Sequence, residues 1–357
     1  MKRKLLVAVP LLCLVALLAW FFRPKHEYLG DAYVSERSVT LWSSGAQVRE
    51  QLGVLLYGDH VEVLAKRNDI VKVRAANGLT GWVDGRYLME PELWKRSEKL
   101  LEQTKTMTVQ AKGRTKVPTN LRVQPGRKEA RLYQFNRGTQ VEILGRTVAD
   151  WVQVSDEKES SAEPAGSKKE DWFLVRGTAL RPPGEGTVRN SAVMNTTQPG
   201  DQSIPIAGWV VARFISLDVP DTVREGTSAA NVRPIAWFEL NRVKDDGGEH
   251  PQYLVAGTKG PEGQLCDFTN MRVYTWNAKK SRYETAFIEN DLCGALPIQV
   301  GKSAKGEPEF RFHTMNAGKE ERVYRLIQTV VRRIREEKVM LPSRSHGAAH
   351  SGKKAKH

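Results

Sequence analysis

The chain is poor in the residues that carry most enzyme chemistry. It has three cysteines among 357 residues, and seven scattered histidines of which three fall in the last sixteen positions. No C-x-x-C occurs, and no glycine-rich phosphate or dinucleotide loop, so no metal and no cofactor is expected. Acidic residues are short relative to basic ones, 41 against 55, for a net charge of +14. That excess favours an anionic partner and says nothing about fold. Long uncharged runs are absent with one exception. Leu5 to Phe22 gives eighteen residues without a charge, behind Lys2-Arg3-Lys4. Eighteen is the lower edge of a bilayer-spanning helix. Ala16 and Ala19 are spaced A-x-x-A rather than A-x-A, so a retained anchor over 1–22 is preferred, with cleavage, or lipidation at Cys13, left open. Basic residues inside would put residues 23–357 outside the cytoplasm, periplasmic or extracellular, and would exclude intracellular nucleic acid as partner.

Beyond that run only Cys266 and Cys293 remain. In an oxidising compartment they are a possible disulfide, the alternative being two buried thiols. A bridge would close a loop of about 27 residues and contribute roughly 3 kcal/mol.

What the chain does contain is a repeat. "GDHVEVLA" from Gly58 matches "GTQVEILG" from Gly138, and Leu41 and Leu52 match Leu121 and Leu132, all at an offset of 80. "IVKVR" ending at Arg74 resembles "WFLVR" ending at Arg176 at an offset of 102, and "GWVDGRYL" from Gly81 resembles "GWVVARFI" from Gly208 at 127. Two insertions in the second copy account for the change, assigned as surface loops over 155–171 and 180–203. "DWVQV" (150–154) is an alternative match to "IVKVR". Such self-similarity marks duplicated units. Within each, Val61 and Val63, Val71 and Val73, and Val141 and Ile143 alternate with polar residues, the period of a half-buried strand. Asn77-Gly78 is a hairpin signal. About five short strands in 60 residues fit a small barrel, which removes exposed edges. Gly81 and Gly208 mark backbone positions where a side chain would obstruct.

"LWSSG…LGVLLYGDHVEVLAKRNDIVKVRAANGLTGWVDGRYL" resembles a bacterial SH3-like domain. The second copy resembles it with its insertions, "NLRVQPG" (120–126) being its early strand. The resemblance implies two small barrels, over 30–90 and 111–218, with a binding role, often at the cell wall, and does not imply catalysis. Trp42, Tyr57, Trp82 and Tyr87 in the first copy, and Trp172, Trp209 and Phe214 in the second, are either barrel core or the wall of a shallow ligand groove. Trp42 is the strongest groove candidate, because it breaks the Val39/Leu41 face. Arg86 and Arg213 follow each Gly-Trp-Val and suit a carboxylate, or are solvated. A linker over 91–110 carries a predicted helix, Pro91 to Lys105.

The remainder, 224–338, reads as an antiparallel sheet with one helix. "IAWFELNRV", "PQYLVAGTK", "MRVYTWNAKKSRYETAFIE", "ALPIQV" and "EPEFRFHTM" are strand-like, with a turn at 277–281. Val323, Leu326, Ile327, Val330 and Ile334 at helical spacing predict a C-terminal amphipathic helix with an arginine-rich polar face. The tail, 339–357, is basic and disordered by composition, and suited to anionic polymer or lipid. The expected fold class is therefore mainly β: a transmembrane helix, two barrels, then an α+β domain. The expected function is a membrane-anchored extracytoplasmic binding module for cell-wall peptide, peptidoglycan or an envelope protein, and not an enzyme. A structural subunit of an envelope complex is the alternative. A cysteine peptidase using Cys266 and His313 is remote, because no helix follows the cysteine to lower its pKa.

Overall fold

In the computed structural model, residues 28–153, 168–180, 203–315 and 320–334 are described. The first unit is one antiparallel sheet of seven strands. These are β1 (Gly30–Val34), β2 (Ser38–Trp42), β3 (Gln51–Leu56), β4 (His60–Arg67), β5 (Ile70–Ala75), β6 (Thr80–Asp84) and β7 (Leu88–Met89). They lie in the order β3-β2-β6-β5-β4-β1-β7. Alternation puts Val39, Leu41, Val61, Val63, Val71, Val73 and Val83 on one face, and the sheet curls around them as a core. No ladder joins β3 to β7 among the described residues, so the unit is a roll rather than the expected closed barrel. At the β5–β6 turn Gly78 takes φ 83°, which a side chain disfavours, and Asn77 Oδ1 accepts from Leu79 N–H at 3.0 Å.

Helix α1 (Pro91–Thr104) follows, opened by proline at its first position. Then comes a second seven-stranded sheet: β8 (Ala111–Thr115), β9 (Thr119–Arg122), β10 (Arg131–Phe135), β11 (Gln140–Asp150), β12 (Lys169–Ala179), β13 (Ile204–Val211) and β14 (Ile215–Leu217). Its order, β10-β9-β13-β12-β11-β8-β14, repeats the first. The register repeats as well. Val63↔Val73 recurs as Ile143↔Val175, and a bulge follows each pair. The ion pair Arg74–Glu62 recurs as Arg176–Glu142. "DWVQV" is not the matching strand, because Asp150 ends β11 and "WFLVR" lies in β12. Lys169–Asp171, assigned to a loop, also belong to β12. The rest of both assigned insertions, 155–167 and 181–202, lies outside the described residues.

The two sheets share packing. Tyr57 and Met89 of the first belong to the buried cluster of the second, with Tyr33, Leu93 and Trp94 against it. Tyr33 stacks on Trp94 at 4.8 Å, Trp94 meets Tyr57 at 5.9 Å, and Tyr57 meets Tyr133 edge-on at 5.0 Å.

After α2 (Asp221–Ala229) come two four-stranded meanders. One is β15 (Arg233–Asp245), β16 (Gly248–Thr258), β17 (Asn270–Asn277) and β18 (Arg282–Glu289). The other is β19 (Gly294–Lys302), β20 (Pro308–Thr314), β21 (Glu321–Ile327) and β22 (Val330–Ile334). They enclose one core around Leu254, Phe268, Met271, Phe310, Phe312 and Tyr324. Helix α2 covers the outer face of the first meander through Val223, against Tyr253, Val255 and Tyr274.

Two parts of the expected fold class are corrected. The C-terminal amphipathic helix is a hairpin, β21–β22, closed by two residues between Ile327 and Val330. Gln328 takes φ 57° in that turn. The segment is rich in β-branched residues, and pairing with β20 outweighs its helical spacing. The transmembrane helix is not found: among the described residues no helix is long and apolar enough to cross a membrane. Residues 1–22, to which it was assigned, and the tail 339–357 lie outside them.

A Cβ on Gly81 would lie 2.7 Å from Leu41 Cγ and from the Trp42 carbonyl oxygen. On Gly208 it would lie 2.7 Å from Leu121 Cγ and 2.8 Å from the Arg122 carbonyl oxygen. Either glycine changed to alanine should cost about 1–3 kcal/mol. Gly301→Ala, where an added Cβ meets nothing within 4 Å, should stay within about 0.5 kcal/mol. Urea unfolding of the three variants checks this.

Candidate ligand groove

The strands of the first sheet set its two tryptophans side by side. Trp42 ends β2, Trp82 sits in β6, and the two are direct cross-strand partners. Both are half-buried. Each carries an arginine over its ring: Arg49 Cζ is 4.3 Å from the Trp42 centroid, and Arg67 Cζ is 5.3 Å from that of Trp82. Such contacts hold a guanidinium by the ring's quadrupole. The indoles floor a cleft of about 800 Å³, within the size range of ligand sites. Its wall on one side is Arg86, Asp84, Tyr87 and Ile70 of the first sheet, and on the other Asn120, Arg131 and Gln134 of the second. Arg131 crosses to Glu36 at 2.7 Å, tying the two walls together. A further hollow of about 510 Å³ lies along the start of α1 and shares Arg86 and Arg131 with the cleft.

Arg86 is the middle residue of the tight 3-10 turn, Gly85–Tyr87, after β6. Asp84 caps that turn by accepting from Arg86 N–H at 2.9 Å, and its Oδ2 also takes Arg86 Nη2 at 2.7 Å. This side-chain bond holds the Asp84 carboxyl below its usual range. The Arg86 side chain is 77 % exposed. Its remaining N–H groups face solvent and can exchange water for a second carboxylate.

The second sheet fills the corresponding place. Arg122, not tryptophan, faces Trp209 across β9 and β13. Trp172, one strand over, is fully buried and packs with Val211 and Phe214. Arg213, in the position of Arg86, bonds Glu170 at 3.0 Å and Glu262 at 3.1 Å. Glu262 belongs to the segment 259–269 between β16 and β17, which lies along this face. Asp171 Oδ1 accepts from Gly263 N–H at 2.8 Å. Arg146 donates to the carbonyls of Gln264 at 2.9 Å and Cys266 at 3.1 Å, and pairs with Asp171 at 2.5 Å and Asp267 at 3.3 Å. A disulfide joins Cys266 to Cys293 and pins the far end of the segment.

Four of the expected groove residues thus line the open cleft: Trp42, Trp82, Arg86 and Tyr87. Five do not. Tyr57 is buried between the two sheets, where burial pushes its phenol well above the usual value. Trp172 and Phe214 are core, Trp209 packs against them, and Arg213 is spent on the two glutamates. In the bridged form Cys266 has no thiol to serve as nucleophile, and the residues after it form no helix. Arg49, Glu36 and Arg131 were missed, because the cleft draws on both sheets and no single stretch spells it.

The first unit is a curled antiparallel roll with aromatic and cationic groups at one mouth. Residues 44–89 match the bacterial SH3 domain family. No curated protein matches the chain. Among solved structures it is similar to an NlpC/P60 family protein from Bacillus cereus, at 12 % identity, over 73 % of this chain and 94 % of that one, with a TM-score of 0.21. NlpC2 from Trichomonas vaginalis gives 8 % identity over 85 % and 91 %, with a TM-score of 0.16.

The buried charges make two predictions. Asp171 takes bonds from Arg146, Arg233 and Gly263, so Asp171→Ala should cost about 3–5 kcal/mol by removing the buried carboxylate that all three share. Burial raises the Asp267 carboxyl above its ordinary value, against the opposing bonds from Leu296 N–H and Arg146. Its stabilising share is therefore full below the unfolded value near ~3.9 and is lost as the pH rises through the raised one. The Tm of the native protein minus that of Asp267→Asn should accordingly fall between about pH 4 and pH 7. Scanning calorimetry at both values checks this.

Proposed function

We propose that this is a binding protein of the cell envelope, in which the cleft floored by Trp42 and Trp82 holds a peptide of the cell wall. The observation that carries the reading is the pairing of two half-buried indoles, directly opposite across β2 and β6, beneath a cleft open to solvent and edged by arginines. Flat aromatic faces supply contact area at little entropic cost, and the arginines supply charge complementarity to an anionic wall polymer. The family match over 44–89 supports a wall-binding role. The second sheet, with the same strand order and register, is read as a second SH3-like copy turned to a structural task. The disulfide supports a location outside the cytoplasm. Recognition is non-covalent, and no catalytic step is assigned.

The test is retention of the purified protein on insoluble peptidoglycan. Trp42→Ala and Trp82→Ala should each weaken retention at least about tenfold, the loss of one stacking contact, with unfolding curves near those of the parent. Equal retention of both variants would sink the proposal, and co-purification of a protein partner instead of wall material would favour an assembly role.

A further inference from the structure

The repeat allows the ligand of the open cleft to be read from its filled counterpart. Positions correspond through the register. Trp42 opposite Trp82 becomes Arg122 opposite Trp209, and Ile70 opposite Asp84 becomes Trp172 opposite Val211. The same offsets carry Arg86 to Arg213 and Glu36 to Lys116. In the second sheet Arg213 holds two carboxylates, Glu170 and Glu262. Arg213 Nη1 bonds Glu262 at 3.1 Å, and Lys116 Nζ bonds the Arg213 carbonyl at 2.9 Å. Glu262 arrives on an irregular stretch of the chain itself, held by Asp171 and Arg146 through its backbone at Gly263 and Gln264. The second sheet therefore carries a peptide, supplied in cis, that sets a glutamate on the arginine that follows Gly-Trp-Val.

We infer that the first groove takes the same kind of ligand from outside: an irregular or extended acidic peptide with a carboxylate on Arg86. This rests on the reading of the cleft as a peptide site and names its chemistry. Two differences between the copies fit an open site. Asp84 occupies Arg86 where the second copy has Val211, so the arginine stays oriented while the groove is empty. Arg49 lies on Trp42 where the offset of 80 places Glu129, so a cation replaces an anion. Among the described residues no carboxylate pairs with Arg49, which leaves it as a second seat for negative charge.

The probe is the chain's own segment used in trans: a synthetic nonapeptide spanning residues 259–267 with serine for Cys266, and its twin carrying glutamine for Glu262. Titration calorimetry with the whole protein should show the glutamate peptide binding about tenfold more tightly than the glutamine one. Arg86→Ala should abolish the difference while leaving the unfolding curve unchanged, since that side chain is exposed. Asp84→Asn should strengthen binding of the glutamate peptide by freeing Arg86. Equal affinity for both peptides, or a preference that survives Arg86→Ala, would overturn the inference. If Trp42→Ala still loses wall retention, the cleft remains the site and only its assigned ligand chemistry falls. If neither peptide binds and Trp42→Ala is retained as well as the parent, both readings fall together.

Discussion

The structure depends on the aromatic chain that welds the two rolls together. Tyr33, Trp94, Tyr57 and Tyr133 touch in sequence, from β1 through α1 to β10. Each contact is worth about 0.5–1.5 kcal/mol beyond the area it buries. The set fixes the angle at which the sheets meet, with the Arg131–Glu36 bond beside it. Without it the cleft would have one wall. Gly58 shows how close the fit is, because a Cβ there would stand 3.0 Å from Trp94 Cη2.

The two seven-stranded sheets share one strand order and differ at their mouths. Register, bulges and the ion pair at the base of each hairpin are alike in both. The mouths are not. One keeps paired indoles and exposed arginines, while the other buries a tryptophan and neutralises its arginine with two glutamates. Buried ion pairs return little net stability against packed hydrophobic residues, but they impose geometry. Here they fix the segment after β16 on the second sheet, and with it the meanders. Gln110 does the same at the junction, accepting from Ile298 N–H at 2.8 Å.

Much of the architecture was legible. The offsets located two sheets of like strand order, and the Asn77-Gly78 turn and the two obstructed glycines were legible too, because period-two alternation and close backbone approach leave clear marks. The C-terminal hairpin was not, since Gln328-Thr329 is no turn signature and its apolar residues also fit a helix. Half of the site was legible as well. Trp42, Trp82, Arg86 and Tyr87 follow from one strand pattern. Trp172 and Phe214 look the same in one dimension, and only their packing with Val211, Val117 and Ala149 separates core from groove. Comparing the copies at polar positions, 42 with 122 and 49 with 129, is the signal that would have parted them.

The disulfide between Cys266 and Cys293 ties the covering segment at its far end, while β16 holds the near one. A short tethered segment competes at an effective concentration on the order of millimolar. A free competitor of ordinary strength would not evict it. Each polypeptide would then saturate at a stoichiometry of one, however many rolls it carries, and gain avidity only by clustering with its own kind.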